Sequence, residues 1–160
     1  MGNPDWAVGC GLMHPWMQST RWFIANSQEK VRMSYSILII DSSTTTRALL
    51  KHTVRQTDFG RGRIHEAASG AEAMEVLEHH RVDLVLIDPR LDDVDGMDLV
   101  GRIAAEPETR NVPVVVMMPR PDPRKNSQLR RSGVRGQIRK PFTSEAFAEL
   151  ASQLLEPTHV

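Results

Sequence analysis

The stretch that decides the fold lies near the middle of the chain and reads LVLIDPRLDDVDGMDL, residues 84–99. It opens with four apolar residues, two of them β-branched, which is typical of a strand buried on both faces of a parallel sheet. Asp88 and Pro89 end this run, and Asp95-Gly96 favours a tight turn before a helix pattern that begins at Met97. Open α/β sheets carry their sites at the carboxyl ends of their strands, so we expect Asp88 to lie at such an end.

Two other strand-like runs also end in a charged residue. The run at 36–40 leads directly into Asp41, and the run at 134–139 leads into Lys140. Because the carboxyl ends of parallel strands lie along one edge of a sheet, we expect Asp41, Asp88 and Lys140 to share one pocket.

Strand and helix patterns alternate along the chain from Ser36 onward. Strands are predicted at 36–41, 63–67, 84–87, 112–118 and 134–139. Helices are predicted at 44–56, 70–80, 97–105 and 144–155, with one more between a proline-rich segment and the last strand. Five βα units in this order predict an α/β fold, a doubly wound five-stranded parallel sheet with right-handed crossovers, over residues 36–155.

The first 33 residues differ in composition from the rest of the chain. They contain all three tryptophans of the protein and show neither a helical nor a strand period. Two interpretations remain for residues 1–33: an aromatic docking arm, or a disordered leader ahead of a start at Met33. In either case we expect this accessory extension to be dispensable for the fold, because the βα pattern is complete without it.

Composition excludes several classes of protein. The 20 basic and 20 acidic residues cancel, so no overall field favours DNA as a partner. A single cysteine, Cys10, rules out an internal disulfide and is consistent with the reducing cytoplasm. No apolar run approaches the ~18 residues that a spanning helix requires, so membrane insertion is not expected.

Four features in this order resemble the receiver domain of two-component response regulators, which has the CheY-like fold. They are the strand that ends at Asp41, the DPRLDDVDG block, the NVPVVV run at 111–116 and the Lys140-Pro141-Phe142 tripeptide. The resemblance implies a (βα)5 flavodoxin-like fold and a signalling role without enzymatic activity. It also implies Asp88 as the phosphoacceptor, Lys140 as its lysine partner and Asp41 and Asp88 as metal ligands.

Three positions depart from the receiver pattern. The second of the family's two adjacent acids is replaced by Ser42, which removes one negative charge from a Mg²⁺ site. The family's switch hydroxyl is replaced by Met118, a thioether that cannot donate a hydrogen bond, and its switch aromatic by Gln137. We therefore expect Mg²⁺ binding to be weak or absent, and Asp41, Asp88 and Lys140 could persist only as a structural charge cluster.

Positive charge is concentrated in residues 119–140, PRPDPRKNSQLRRSGVRGQIRK, which carry eight cations and one acid. Six of the cations are arginines, whose planar guanidinium groups bind phosphate or the guanine edge with two hydrogen bonds and stack on rings. Prolines 119, 121 and 123 are expected to hold the start of this segment extended, so that Arg120 and Arg124 are presented from a stiff loop.

A guanine dinucleotide with two phosphates would satisfy these groups. The spacing of Arg120 and Arg124 resembles an element of PilZ receptors, and the whole segment resembles the arginine-rich insert of the Cle proteins, degenerate CheY-like effectors of cyclic di-GMP. That resemblance implies that the ligand docks on the fourth helix and fifth strand, and that the same face engages the flagellar motor switch. The predicted ligand contacts are Arg120, Asp122, Arg124, Arg130, Arg131, Arg135 and Arg139.

Three functions remain open at this point. The first is a single-domain effector that binds cyclic di-GMP and docks on a protein target such as the motor switch. The second is a phosphorelay receiver in which a histidine kinase or a phosphotransfer protein phosphorylates Asp88. The third is an adaptor whose arginines contact RNA or an acidic protein; the lack of aromatic residues among the arginines disfavours single-stranded RNA.

Overall fold

A five-stranded parallel sheet lies at the centre of the computed structural model, which describes residues 34–156. The strands have the order β2-β1-β3-β4-β5 and are β1 Ile37–Ile40, β2 Ile64–Ala67, β3 Leu84–Ile87, β4 Val114–Met118 and β5 Val134–Arg139. The helices are α1 Thr44–Arg55, α2 Gly70–His79, α3 Gly96–Ala105, α4 Asn126–Arg131 and α5 Ser144–Leu155. The predicted fold is confirmed. The predicted extension at 1–33 lies outside the described residues, so its role stays a prediction.

The central strands are buried on both faces, as their continuous apolar sequence predicts. Side chains alternate along β1, so Ile37 and Ile39 pack in the layer that contains α1 and α5, while Leu38 and Ile40 face α2 and α3. Every residue of β1 and β3 is buried. At about 25 cal/mol per Å² of apolar surface, this burial supplies the main stabilisation of the sheet that carries the site.

Side-chain caps fix the points at which four of the five helices begin. The hydroxyls of Ser43, Ser69 and Thr143 each accept a hydrogen bond from a backbone N–H in the first turn of α1, α2 and α5. Asp95 does the same for α3, accepting from the Met97 N–H at 2.8 Å. Such caps contribute about 1 kcal/mol each, and they set where each strand-to-helix loop must end.

The acidic loop after β3 is tied to a neighbouring helix. Asp93 accepts hydrogen bonds from the backbone N–H groups of Gly70, at 2.9 Å, and Ala71, at 3.1 Å. These bonds, that of Gly70 first, hold the pKa of Asp93 below its usual range. The loop that follows Asp88 is therefore anchored to the start of α2.

The segment between β4 and α4 differs from the sequence-based prediction. Only its first part is outside regular structure, because a 3₁₀ turn forms at Pro123–Lys125. Pro123 suits the first position of such a turn, and the Asp122 carboxylate accepts from the Arg124 N–H at 3.0 Å. Arg124 is thus presented from a turn, and the expectation that the prolines keep it on an extended loop was wrong.

One turn in the described region was not predicted from the sequence. A second 3₁₀ turn at Asp58–Arg61 follows α1 and buries Phe59 in the core, where sequence periodicity gave no signal.

Between residues 34 and 156, no helix has the length and apolar character required to cross a membrane.

Two glycines of α3 provide a matched test of the packing beneath the acidic loop. An added Cβ at Gly96 would lie 2.5 Å from Pro89 Cα, whereas one at Gly101 would meet nothing within 4 Å. We expect Gly96→Ala to destabilise the fold by about 1–3 kcal/mol, because the backbone after Asp88 would have to move. Gly101→Ala should stabilise it by about 0.5–1 kcal/mol through helix propensity.

Urea denaturation of both variants measures these effects. Equal stability changes in the two variants would show that the loop after Asp88 does not pack on α3 as described.

Candidate functional site

The register of the sheet brings two carboxylates side by side. Ile40 of β1 pairs with Ile87 of β3, and the Asp88 N–H donates to the Ile40 carbonyl at 2.9 Å. Asp41 and Asp88 are the residues that follow these two strands, and they are 2% and 6% exposed. Two buried carboxylates at this spacing require compensation by positive charge.

Lys140 supplies that compensation. Its backbone N–H donates to the Met118 carbonyl at 2.9 Å, which places the residue at the end of β5 on the same edge of the sheet. Its Nζ donates to Asp41 Oδ2 at 2.5 Å and also to Asp88 Oδ2. The structure thus brings together the three residues that the strand ends predicted.

The pair of carboxylates also governs the titration of Lys140. Burial by itself lowers the pKa of the ammonium group, but the hydrogen bonds and charges of Asp41 and Asp88 outweigh burial and raise it above its ordinary value. Lys140 is therefore positively charged at every physiological pH.

Backbone groups occupy the remaining carboxylate oxygens. Asp41 Oδ1 accepts from the Ser43 N–H, and Asp88 Oδ1 accepts from the Arg90 N–H, both at 2.8 Å. The Arg90 guanidinium adds a second cation, with its Nε 3.8 Å from Asp88 Oδ1. All four oxygens consequently have a donor from the protein.

Arg47 is a part of this site that sequence reasoning missed. Its Nη1 donates to the Asp41 carbonyl at 2.5 Å, and its Nε lies 3.4 Å from Glu66 Oε1 on β2. The side chain is only 11% exposed. A basic residue in the first turn of a helix is opposed by the helix dipole and needs an acceptor, and this was a usable signal.

The match to a known protein family covers most of the described residues. A family model described as the response regulator receiver domain matches residues 37–152. This chain belongs to the response regulator receiver family. It is a CheY-like signalling receiver, and the fold and the three charged strand ends are those expected of that family.

Individual relatives agree with the family assignment. The receiver is 30% identical over 120 residues to chemotaxis protein CheY-3 of Vibrio cholerae, with 75% of this chain and 91% of that protein covered. It is 27% identical to chemotaxis protein CheY of Pseudomonas aeruginosa over 120 residues, with 75% and 95% covered. The crystallised CheY4 of Vibrio cholerae superposes with a TM-score of 0.68 at 20% identity, with 76% of this chain and 99% of that chain covered, which shows the shared fold.

The acidic pocket offers Mg²⁺ one carboxylate fewer than the receiver pattern does. The ion requires near-octahedral oxygen ligands, usually one or two carboxylates together with waters. Here the two carboxylates are already bonded to N–H donors, two cations lie beside them, and the adjacent position is Ser42. Within residues 34–156, no group of three or more His, Cys, Asp or Glu side chains has an arrangement that could hold a metal ion.

The two positions associated with receiver switching have other contacts. Met118, at the end of β4, packs partly buried against the core between the sheet and α2, α3 and α4. Gln137, on β5, donates to the Asp122 carbonyl at 2.9 Å and to Asn126 Oδ1 at 2.6 Å. The Gln137 side chain is therefore bonded to the loop at residues 119–125, here called the arginine loop, which carries the first arginines of the basic segment 119–140.

A cleft of about 240 Å³ lies beside β5, bounded by the arginine loop, α4 and α5. Two of the predicted arginines, Arg130 and Arg135, line it, together with Pro121, Asn126, Gln137 and Leu150. The other predicted arginines are exposed but do not line it: Arg120, Arg124, Arg131 and Arg139. The basic segment is thus split between a cleft and a surrounding cationic surface.

Arg135 occupies an unusual place on the edge strand. The pairing of β4 with β5 shifts from Val114 opposite Val134 to Val115 opposite Gly136, so Arg135 has no partner on β4. Such an irregularity re-aims the side chain of the extra residue. The strand pattern alone did not reveal it.

Asp122 is engaged within the protein. Its carboxylate accepts from Arg124 Nε at 3.1 Å and Nη2 at 3.3 Å, in addition to the Arg124 N–H. These bonds, the side-chain bonds first, hold the pKa of Asp122 below its ordinary value. Asp122 was predicted to accept hydrogen bonds from guanine, and to do so it would have to release Arg124.

Loss of the Lys140 ion pairs should lower the free energy of unfolding, by an amount that depends on pH. Lys140→Met leaves the two buried carboxylates without the cation that contacts both of them, and we expect a loss of about 3 kcal/mol at pH 7. Asp88→Asn should cost less, because Lys140 and Asp41 remain paired. Thermal or urea unfolding of both variants measures the difference.

The pH dependence follows from the direction of the Lys140 shift. A raised pKa in the folded state stabilises the protein fully below the ordinary lysine value of about 10.4, and this contribution is lost as pH rises through the folded pKa. The stability gap between wild type and Lys140→Met should hold from about pH 6 to about 10 and shrink as the pH rises further. A gap that grows at alkaline pH would contradict the charge assignment.

Proposed function

We propose that this receiver is a CheY-like effector that binds cyclic di-GMP at the cleft beside β5. The observation that carries the proposal is the pair of arginines, Arg130 and Arg135, lining one cleft with the other exposed arginines around it. Guanidinium groups can grip the two phosphates and stack on or bond to the guanines. The protein acts in this proposal as a binding module and not as an enzyme.

The proposed output is docking on a protein target. The cleft and its arginines lie on the face formed by α4, β5 and α5, and a bound dinucleotide would change both its shape and its charge. The resemblance to the Cle effectors makes the flagellar motor switch the target to test first.

Phosphorylation of Asp88 is the second candidate function. It is favoured by the geometry of the acidic pocket, in which a carboxylate at the end of β3 contacts Lys140. It is disfavoured by Ser42, which replaces an acid of the metal site, and by the Met118 thioether, which cannot donate a hydrogen bond to a phosphoryl oxygen. In this case a histidine kinase or a phosphotransfer protein would be the partner.

A gain-of-function variant separates the two candidates. Acetyl phosphate with Mg²⁺ should produce little phospho-Asp88 in the wild type, because the metal site lacks an acid. Ser42→Asp restores a carboxylate beside Asp41 and should increase Mg²⁺-dependent phosphorylation, measured by intact-protein mass spectrometry. Efficient phosphorylation of the wild type would favour the second candidate.

Calorimetry with conservative arginine variants tests the ligand. Arg130→Lys and Arg135→Lys keep the charge but remove bidentate and stacking contacts, and each should weaken cyclic di-GMP binding by about 1–3 kcal/mol. Arg102→Lys, at an exposed site on α3 outside the cleft, is the matched control. GTP and GMP serve as ligand controls.

Asp122→Ala distinguishes specific recognition from general attraction to polyanions. Loss of this acid should weaken cyclic di-GMP binding, since Arg124 loses the carboxylate that orients its guanidinium. A nonspecific phosphate site predicts the opposite, tighter binding, with tolerance of lysine and a steep salt dependence shared by any polyphosphate. Measurements at two salt concentrations decide between them.

A further inference from the structure

The Gln137 side chain bridges the edge strand and the arginine loop. Its Nε2 donates to the Asp122 carbonyl at 2.9 Å and to Asn126 Oδ1 at 2.6 Å. Its Oε1 accepts from the Asp122 N–H at 3.3 Å. Both backbone groups of Asp122 are therefore bonded to one side chain of β5, a pairing that resembles one rung of a sheet.

Asp122 in turn bonds to two residues of the 3₁₀ turn, Arg124 and Lys125. The Asp122 carboxylate orients the Arg124 guanidinium with bonds at 3.1 and 3.3 Å, although the Arg124 side chain is 91% exposed. The Asp122 carbonyl also accepts from the Lys125 N–H at 3.0 Å, which closes the 3₁₀ turn. One amide side chain thus determines where the turn and Arg124 lie relative to the cleft.

An amide group is better suited to bond both backbone groups of Asp122 than a carboxylate or an aromatic ring is. A glutamine offers a donor and an acceptor on one planar group, which matches the N–H and carbonyl of a single peptide residue. Glutamate would lose the donor, and an aromatic side chain could not bond both groups. Pro121 and Pro123, on either side of Asp122, restrict the loop further.

We infer that Gln137 is a positioning residue that preorganises the arginine loop for a dinucleotide in the adjacent cleft. The position that carries an aromatic switch in the receiver pattern here holds the ligand-facing loop in place instead. A loop that is ordered before binding loses less conformational entropy on binding, so Gln137, which also lines the cleft, contributes to affinity through the order of the loop. The ligand part of this inference rests on the proposed function, whereas the order of the loop does not.

The experiment compares Gln137→Met with Gln128→Met in the full chain. Methionine keeps the unbranched shape and approximate volume of glutamine but lacks the amide, and Gln128 is an exposed residue of α4. Amide hydrogen exchange by NMR reports the loop through the N–H groups of Arg124 and Lys125, which are bonded to Asp122 within it, and through the N–H of Asp122, which is bonded to Gln137. Calorimetry with cyclic di-GMP reports binding.

In Gln137→Met, these amides should exchange at least several-fold faster, with core amides unchanged, and cyclic di-GMP affinity should fall about tenfold, as the loss of one to two net hydrogen bonds predicts. Gln128→Met should match wild type in both measurements. Asn126→Ala removes one of the three partner atoms of Gln137 and should give an intermediate increase in exchange. It is also the second variant if Gln137→Met folds poorly.

The outcomes separate the inference from the function on which it rests. Unchanged loop exchange in both Gln137→Met and Asn126→Ala would overturn the positioning role, whatever the ligand. Faster exchange with undiminished cyclic di-GMP affinity would overturn the link between loop order and binding. A wild type that binds no cyclic di-GMP would refute the proposed function, and the exchange data would still decide whether Gln137 holds the loop.

Discussion

The ion pairs of Lys140 with Asp41 and Asp88 depend on the register of three strands and in turn constrain it. Two carboxylates can be buried next to each other only if a cation reaches both, and this cation comes from the far edge of the sheet. A shift of one residue in β1, β3 or β5 would separate the three charges or expose the apolar faces of the strands. The same requirement explains why the loops after β1 and β3 direct backbone N–H groups at the remaining carboxylate oxygens.

Much of this arrangement follows from local sequence. The alternation of strand and helix patterns, with strand-like runs that end in Asp41, Asp88 and Lys140, was sufficient to predict the sheet, its parallel strands and the meeting of these residues at one edge. The helix starts were predictable for the same reason, since Ser43, Ser69 and Thr143 are local caps. These features depend on residues that are close together in the chain or on a general property of parallel sheets.

Other features depend on contacts that local patterns do not encode. The contacts of Arg47 and Gln137 require partners on other elements, Asp41 and Glu66 for the first and Asp122 for the second. The clustering of positive charge was evident from sequence, but the irregular pairing at Arg135, and hence which arginines line the cleft, follows from how β5 sits against β4.

The irregular pairing at Arg135 has a consequence for the behaviour of the molecule in a crowded solution. β5 is the last strand of the sheet and has a neighbour on one side only, so its other side is a template on which a strand from a second molecule could assemble. An irregular, twisted edge that carries the long charged side chains of Arg135 and Arg139 makes a poor template. The arginines that give this face its positive charge therefore also disfavour edge-to-edge pairing between molecules.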